Sequence, residues 1–591
     1  MFGKILIANR GEIAVRVVRA CRALGVRSVA IYSEADADAL HVRLADEAHP
    51  CGPARATESY LDVAKVVGLA KACGADAVHP GYGFLSENAA FAQAVLDAGL
   101  VFIGPPPEVI RAMGGKIPAR ERMRAAGVPV VPGGREAIRD LEEARSTAAA
   151  LGYPVLVKAS AGGGGRGMRR VEDEGGLEAA LERARSEAKA SFGDDTIYLE
   201  KYLSGPRHIE IQVLADQQGK TLHLGERECS IQRRHQKLVE EAPAYGMTEA
   251  LRAAMGEAAV RAAKAVGYVG AGTCEFMMDS SGAFYFLEMN TRIQVEHPVT
   301  EAVTGLDLVA LQIRIAAGEA LPLEQADVRL AGHAIEARVY AEDPDAGFVP
   351  SPGPILAWQA PAGPGIRLDA GFDAGMTVTP HYDAMLAKLI AQGADRAEAL
   401  ERLAEALEQF WVAGIKTGIP FLRRLVSTPT FRAGAYDTGF LEAEMAQAGS
   451  ILAPPRALEE TARVVVLGVA AWRAACDGHG EVDGAADGGD AAQARAAQIV
   501  RVTLPRQEGV EVEIAAEAAS ATVRLRVGVE GRTSELELSV AGEPAGRPVD
   551  GVVFDVRLGG AALRISLVRK KAGDFELGLR DRVVRVRTEL R

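Results

Sequence analysis

Between Tyr285 and Glu301 the chain reads YFLEMNTRIQVEHPVTE. Tyr285, Phe286 and Leu287 open it like a strand. Glu288, Asn290, Arg292, Gln294, Glu296 and His297 follow within ten residues. In an extended strand alternate side chains share a face. The spacing therefore predicts Glu288, Asn290, Arg292, Gln294 and Glu296 on one side, with His297 opposite them as a structural residue. Such a stripe suits a solvated edge strand, or a site that holds a metal and an anion together. Glu275 sits on the preceding run, joined to this one by the turn DSSG, which reads as a hairpin. Cross-strand neighbours lie ~5 Å apart. Two carboxylates that close repel unless a cation separates them. Magnesium takes oxygen ligands and keeps phosphates and waters in its shell, and Asn290 adds a neutral oxygen. Glu275, Glu288 and Asn290 are thus candidate metal ligands. Two exposed glutamates on a hairpin are the plainer alternative.

Two other stretches carry chemistry. In VLVKASAGGGGRGMRRV five glycines surround Arg166, directly after a strand that bears Lys158. Successive backbone N–H groups of such a loop can cradle phosphate oxygens, with Lys158 and Arg166 supplying charge. Gly162, Gly164 and Gly167 match the dinucleotide pattern GxGxxG, but strand-like GMRRV follows where a helix should begin. No Walker GK[ST] ends the loop. A surface loop is the competing reading. In GERECSIQRRHQKLVEEAP, residues 225–243, Arg233, Arg234, His235 and Lys237 crowd together ahead of Glu240 and Glu241. A charge run is usually a solvated face. Here Gln232, His235 and Lys237 break any helical amphipathicity, and fixed cations suit a polyphosphate. The three stretches together describe a non-Walker ATP site. Arg292, Gln294, Glu296 and Arg338 remain for a small anionic second substrate.

These residues need elements to hold them. A chain of 591 residues exceeds what one core supports, so several domains are expected. The net charge of −12, from 67 basic and 79 acidic residues, argues against broad nucleic-acid or anionic-membrane binding. Six scattered cysteines without a CxxC pair fit reduced thiols and offer no zinc framework. No leader or membrane-length apolar run is evident, so a soluble cytoplasmic protein is expected. KILIAN, RSVAIYS, DAVHPGYG and LVFIGPP alternate with helical periodicity, as in GEIAVRVVRACRALG, which predicts a parallel sheet. VPVVPGG marks a break. Residues 154–203 form a compact unit around the Gly-rich loop, and 204–446 mix α and β, with HIEIQVLAD and AIEARVYAED alternating like antiparallel strands. After residue 450, ETARVVVLGVAAWRAAC reads as one amphipathic helix and DGHGEVDGAADGGDAAQ as a linker. About eight short strands then succeed one another, which predicts an all-β barrel or sandwich.

ILIANRGEIAVRVVRACRALG, HPGYGFLSEN, KASAGGGGRGM, ERECSIQRRHQKLVEEAP and FLEMNTRIQVEHPVTE closely resemble biotin carboxylase, an ATP-grasp enzyme. The likeness runs from Met1 to about Ala446 and includes HAIEARVYAEDP and YDAMLAKLI. It implies an N-terminal α/β domain over 1–115, an ATP-grasp linker and mobile lid over 116–203, and an α+β C-terminal domain over 204–446. A helix and linker (447–490) and an antiparallel barrel-like domain (491–591) follow. Carried over by motif, the nucleotide contacts are Lys116, Lys158, the loop with Gly163, Gly164, Gly165 and Gly167, Met168, Glu200, Lys201, Leu203, His208, Gln232, His235, Glu275 and Glu288. Glu275, Glu288 and Asn290 resemble the ligands of Mg²⁺ or Mn²⁺. Lys237, Arg292, Gln294, Val295 and Glu296 resemble the bicarbonate pocket, with Val295 contributing its backbone. Arg338 resembles the arginine that faces biotin. The implied reaction uses Glu296 as base on bicarbonate, which attacks the γ-phosphate of ATP. Carboxyphosphate then yields CO₂ and phosphate, and Arg338 stabilises the biotin enolate that captures CO₂.

The segment after residue 450 resembles the subunit-contacting domain of acyl-CoA carboxylase α subunits, which docks on a carboxyltransferase β subunit. The implied partners are that subunit, a biotin carrier, and further copies in a homo-oligomer or α/β complex. Beyond residue 447 the only lysines are Lys570 and Lys571, and no methionine follows Met445, so no Met-Lys-Met biotinyl turn is recognisable. Biotin is therefore expected on a separate carrier. Two alternatives stand: the ATP half of a pyruvate or urea carboxylase, and a scaffold that binds nucleotide without turnover.

Overall fold

The computed structural model describes residues 1–133, 137–159, 168–234, 236–447 and 449–452, Val466 and Val469, and the strands between 498 and 590. The side chains of Lys116, Ile117, Ser191, Phe192 and almost all of the last eight strands lie outside that description. So do Arg166, His235 and the glycines at 163, 164, 165 and 167. Of the helix expected after residue 460, only Val466 and Val469 are described, both helical and fully buried.

The chain opens with a five-stranded parallel sheet in the order Glu47–Gly52, Arg27–Ser33, Lys4–Ile7, Ala77–His79, Val101–Phe102. Its central strand is buried at every position, as a parallel sheet covered on both faces requires. The helix Gly11–Ala23 packs on it through Ile13, Ala14, Val17, Val18 and Cys21, and the chain turns at Gly25 with φ +69°. The helix starts four residues after the strand ends. Asn9, Arg10 and Glu12 thereby reach the crevice at the carboxyl end of the sheet.

The largest element is an eight-stranded sheet. Its order is Phe284–Asn290, Gly270–Met278, Arg207–Ala215, Thr221–Arg233, Gln236–Ala242, His333–Tyr340, Met385–Gly393, Ile366–Ala370. Every pairing between neighbours is antiparallel. On Arg207–Ala215 the period of two sends Ile209, Ile211 and Val213 into a core with Met255, Ala259 and Ala263 of the helix Glu249–Ala265. The same period sends His208, Glu210 and Gln212 to the opposite face, where they are also buried. Register aligns Glu288 with Glu275, Glu275 with Glu210, and Glu210 with Arg227, so one charged row crosses four strands.

A small sheet, Arg169–Val171, Val155–Ala159 and Ile197–Lys201, carries the helix Leu177–Phe192 on one face. Val155, Val157, Leu177, Leu181 and Leu199 form its own core. The last eight strands, Gln498–Thr503 to Val583–Leu590, close into an antiparallel barrel, because the first pairs with both the second and the last. Among the described residues no helix is long and apolar enough to cross a membrane.

One expectation is corrected. The strand that carries Glu288 stops at Asn290. Thr291 gives its N–H to Glu87 Oε1 (3.0 Å) instead of to a ladder acceptor, and the helix His297–Thr304 begins with Pro298 in its first turn. Arg292, Gln294 and Glu296 therefore lie on a turn, not on one face of a strand.

Candidate active site

A cleft of about 1430 Å³ runs between the small sheet, the open face of the eight-stranded sheet and the start of the helix Gly11–Ala23. Lys158, Met168, Glu200, Lys201 and Leu203 line it from the small sheet and the segments flanking it. His208, Gln232, Lys237, Glu275, Glu288, Asn290 and Arg338 line it from the large sheet. The turn adds Arg292, Gln294, Val295 and Glu296. Each described side chain carried over by motif is thus in one cavity. Arg233, expected with the cations that suit a polyphosphate, instead lies over the Phe348 ring and donates to the Gly347 carbonyl (3.0 Å).

Its centre is a chain of alternating charges. Lys237 Nζ donates to Glu210 Oε2 (2.6 Å), Glu275 Oε1 (3.0 Å) and Glu296 Oε1 (2.6 Å). Arg338 Nη2 donates to the other oxygen of Glu296 at 3.0 Å and also pairs with Glu240. Burial alone would raise the Glu296 pKa, but Lys237, Arg338 and Arg227 outweigh it and hold the carboxyl well below the usual range. Glu275 is held low in the same way, against burial, by Lys237 and His208. His208 Nε2 stands 3.1 Å from Glu275 Oε2. Burial opposes its charge, yet the Glu275 carboxylate raises its pKa. Glu240 lacks enough opposing charge, and burial pushes it up to about 7.

Below this chain lies Arg227, which is fully buried. Its guanidinium donates to Gln212 Oε1 and Gln294 Oε1 (both 2.7 Å), Thr300 Oγ1 (2.9 Å) and Thr273 Oγ1 (3.1 Å), and it pairs with Glu210 (2.5 Å). It fixes the turn to the sheet, since Gln294 also donates to Glu275 Oε1 at 2.8 Å. Arg292 is held by Glu87 Oε2 (2.9 Å), Asn290 Oδ1 (2.9 Å) and the Ile293 carbonyl (3.1 Å). His297 is fully buried behind the turn.

At the end of the cleft lined by the small sheet, Lys158 Nζ donates to Glu200 Oε2 at 2.7 Å, and Arg120 pairs with the other oxygen at 2.5 Å. Burial works against the Lys158 charge, and Glu200 outweighs it, raising the pKa. Lys201 Nζ donates to the carbonyls of Gly152 (2.7 Å) and Tyr153 (3.2 Å). Gln232 and Lys237 are register partners in the hairpin whose turn residue Arg234 has φ +48°.

The donor set fits a hard divalent cation. Glu275 and Glu288 face each other across the hairpin, and Asn290 follows Glu288 on the same side. Two carboxylates and an amide oxygen suit Mg²⁺ or Mn²⁺. His208, Glu210 and Glu275 also bring ligand atoms within 4.8 Å of one another. Glu210, Arg227 and Glu87 escaped the sequence reading, and Glu240 was seen there without a role. The alternation His208, Glu210, Gln212 in HIEIQVLAD carried the signal for Glu210. It reads equally as a solvent face until both faces prove buried.

Three family models match the chain in succession. They are the biotin carboxylase N-terminal domain over residues 1–110, the ATP-binding domain of carbamoyl-phosphate synthase L chain over 115–324, and the biotin carboxylase C-terminal domain over 336–443. Biotin carboxylase 2 of Bacillus subtilis is 54% identical over 442 residues, which is 75% of this chain and 99% of that protein. The chain belongs to the biotin carboxylase family. Among its relatives, the mitochondrial methylcrotonoyl-CoA carboxylase subunit alpha of Mus musculus is 52% identical over 74% of this chain and 61% of its own length. A solved biotin carboxylase domain dimer, from the 2-oxoglutarate carboxylase of Hydrogenobacter thermophilus, binds MgADP, ADP and bicarbonate. It is 50% identical, with a TM-score of 0.72 over 75% of this chain and 98% of that one. The biotin carboxylase core thus takes in both sheets and the cleft, and the family matches end at residue 443, ahead of the barrel.

Proposed function

We propose that this cleft carries out ATP- and bicarbonate-dependent carboxylation of biotin, with the ends of the cleft divided between substrates. Lys116, Lys158, Met168, Glu200, Lys201, Leu203, His208, Gln232 and His235 hold ATP, and the glycines at 163, 164, 165 and 167 contribute to that binding. Lys237, Arg292, Gln294, the Val295 backbone and Glu296 hold bicarbonate, and Arg338 meets the biotin ureido group. Residues 116–203 act as the lid, and 204–446 carry the chemistry.

The observation that carries this reading is Glu296, ionised between Lys237 and Arg338. A base must be unprotonated, and Glu296 is. Its depressed pKa makes it a weak base only while both cations touch it. Bicarbonate, itself an anion, competes for Lys237 and Arg338. As it takes those contacts, Glu296 loses counter-charge inside a buried site and its proton affinity rises. The bicarbonate proton then passes to a Glu296 oxygen, and a bicarbonate oxygen attacks the γ-phosphorus, giving ADP and carboxyphosphate. Lys237, anchored by Glu210 and Glu275, offsets the charge that builds on the transferring group. Glu275, Glu288 and Asn290 would hold Mg²⁺ or Mn²⁺, which neutralises phosphate charge when bound. Arg338, anchored by Glu240, provides the cation that an enolate oxygen of biotin needs.

Biotin comes on a carrier protein or domain, and the chain works as a homo-oligomer or within a larger complex in the cytoplasm. The barrel contacts a carboxyltransferase β subunit, as in an acyl-CoA carboxylase; the likeness of residues ahead of the barrel to methylcrotonoyl-CoA carboxylase subunit alpha supports an acyl-CoA acceptor. The likeness to a 2-oxoglutarate carboxylase supports a second reading, in which the final acceptor is a keto acid. Purified chain should hydrolyse ATP only with bicarbonate, and faster with free biotin. Turnover indifferent to both compounds would overturn the assignment. Copurification with acyl-CoA or keto-acid carboxyltransferase subunits separates the two acceptors.

A further inference from the structure

Val295 and Glu296 line the cleft, and among the described residues no protein acceptor takes either backbone N–H. Both lie on a turn, where no sheet ladder sets the direction of the peptide units. The carbonyls on either side of Val295 are nevertheless fixed from the core. Gln294 O accepts from His297 Nδ1 at 2.8 Å, and from the His297 N–H at 3.3 Å. A carbonyl can only accept, so Nδ1 carries the hydrogen. His297 is fully buried, and its Nε2 has no hydrogen-bond partner. Burial, reinforced by Lys388, Arg16 and Arg367, keeps the ring neutral. The second carbonyl, Val295 O, accepts from Lys388 Nζ at 2.8 Å. Lys388 is also fully buried, is anchored 3.2 Å from Glu12 Oε2, and is the register partner of Arg338.

A trans peptide unit is planar, with its C=O and the next N–H pointing opposite ways. Holding Gln294 O on the core side aims the Val295 N–H away from the core. Holding Val295 O does the same for the Glu296 N–H. We propose that His297 and Lys388 are positioning residues for bicarbonate, clamping two successive carbonyls so that the Val295 and Glu296 amides stay aimed at the anion. Pre-aimed amides bind an anion without reorganising when it arrives. This inference rests on the placement of bicarbonate beside Gln294 and Glu296. If His297 only filled space, an apolar side chain of similar volume would serve as well.

The test is bicarbonate-dependent ATP hydrolysis by the full chain with free biotin. His297→Leu and Lys388→Met should each raise the KM for bicarbonate about tenfold or more, the loss of a hydrogen bond to a charged ligand. The KM for ATP should stay within about twofold. His297→Asn, whose amide nitrogen falls near the place of Nδ1, should bring the bicarbonate KM most of the way back. An unchanged bicarbonate KM, an equal rise in both KM values, or no rescue by asparagine overturns the proposal. If His297→Leu loses its thermal transition, His297→Asn against His297→Gln decides, because glutamine carries its amide one methylene further out. Equal bicarbonate KM values for these two overturn the proposal, and a rise in glutamine alone supports it. Gln294→Ala separates the layers. Should it leave the bicarbonate KM unmoved, the substrate placement fails. Should it raise that KM while the His297 and Lys388 variants do not, only the clamp fails.

Discussion

At the scale of single residues, the cleft works because charges restrain one another. Glu296 touches Lys237 through one oxygen and Arg338 through the other. Glu296→Gln keeps the shape and removes the proton acceptor. Bicarbonate-dependent ATP turnover should fall about 10²-fold or more, while the dissociation constant for ATP, measured by calorimetry, stays within a few fold. A variant with full turnover would remove the base assignment. Much of this residue-level picture is legible in the sequence. The DSSG turn sets Glu275 against Glu288, and the structure pairs them. The continuation past Asn290 was not legible as a turn, because alternation of polar residues looks the same on a strand and on a loop that folds back. The roles of Glu240 and Lys388 were hidden for a different reason. Their partners, Arg338 and the Val295 carbonyl, are distant in sequence, and no local pattern encodes a contact across several strands.

At the scale of elements, the two sheets are joined by close backbone approach. Gly371, just past the strand Ile366–Ala370, leaves no room for a side chain. A Cβ there would lie 2.6 Å from the Glu12 nitrogen and 2.9 Å from the Gly11 carbonyl carbon. Gly371→Ala must push apart the helix Gly11–Ala23 and the edge of the large sheet. We expect a destabilisation of about 1–3 kcal/mol, seen as a lower midpoint in thermal unfolding; an unshifted midpoint would show that the junction yields. The hairpin that carries Glu275 and Glu288 makes a second prediction. Glu288→Gln leaves the strand pairing intact and halves the facing negative charge. Mn²⁺ binding in the presence of ADP, followed by electron paramagnetic resonance, should weaken about tenfold. Undiminished binding would place the metal elsewhere. The elements themselves were legible, since apolar runs alternating with helical periodicity mark the parallel sheet and turn residues mark the barrel strands. Strand order in the eight-stranded sheet was legible only within its three hairpins, because the other neighbours, such as Arg207–Ala215 with Gly270–Met278 and Gln236–Ala242 with His333–Tyr340, are far apart in sequence.

At the scale of the whole molecule, the buried charges tie stability to pH. Burial lifts Glu240 from 4.5 to about 7, with Arg338 opposing and Glu296 adding to it. Between those values the folded chain binds more protons than the unfolded one. The contribution from Glu240 is therefore complete below pH 4.5 and is lost as pH rises through 7. Glu240→Gln titrates in neither state. Its stability relative to the parent should climb between pH 4.5 and 8 by on the order of 2–3 kcal/mol, read by calorimetry; a difference flat with pH would refute the assignment. The barrel has a consequence of another kind. Its eight strands close on themselves, so the first and last, Gln498–Thr503 and Val583–Leu590, hydrogen-bond each other. Among the described barrel strands no edge is left open to accept a strand from another protein. A partner cannot extend this sheet; it must be recognised through side chains on the outer wall or at the rims, and its specificity will be written in those side chains rather than in backbone pairing.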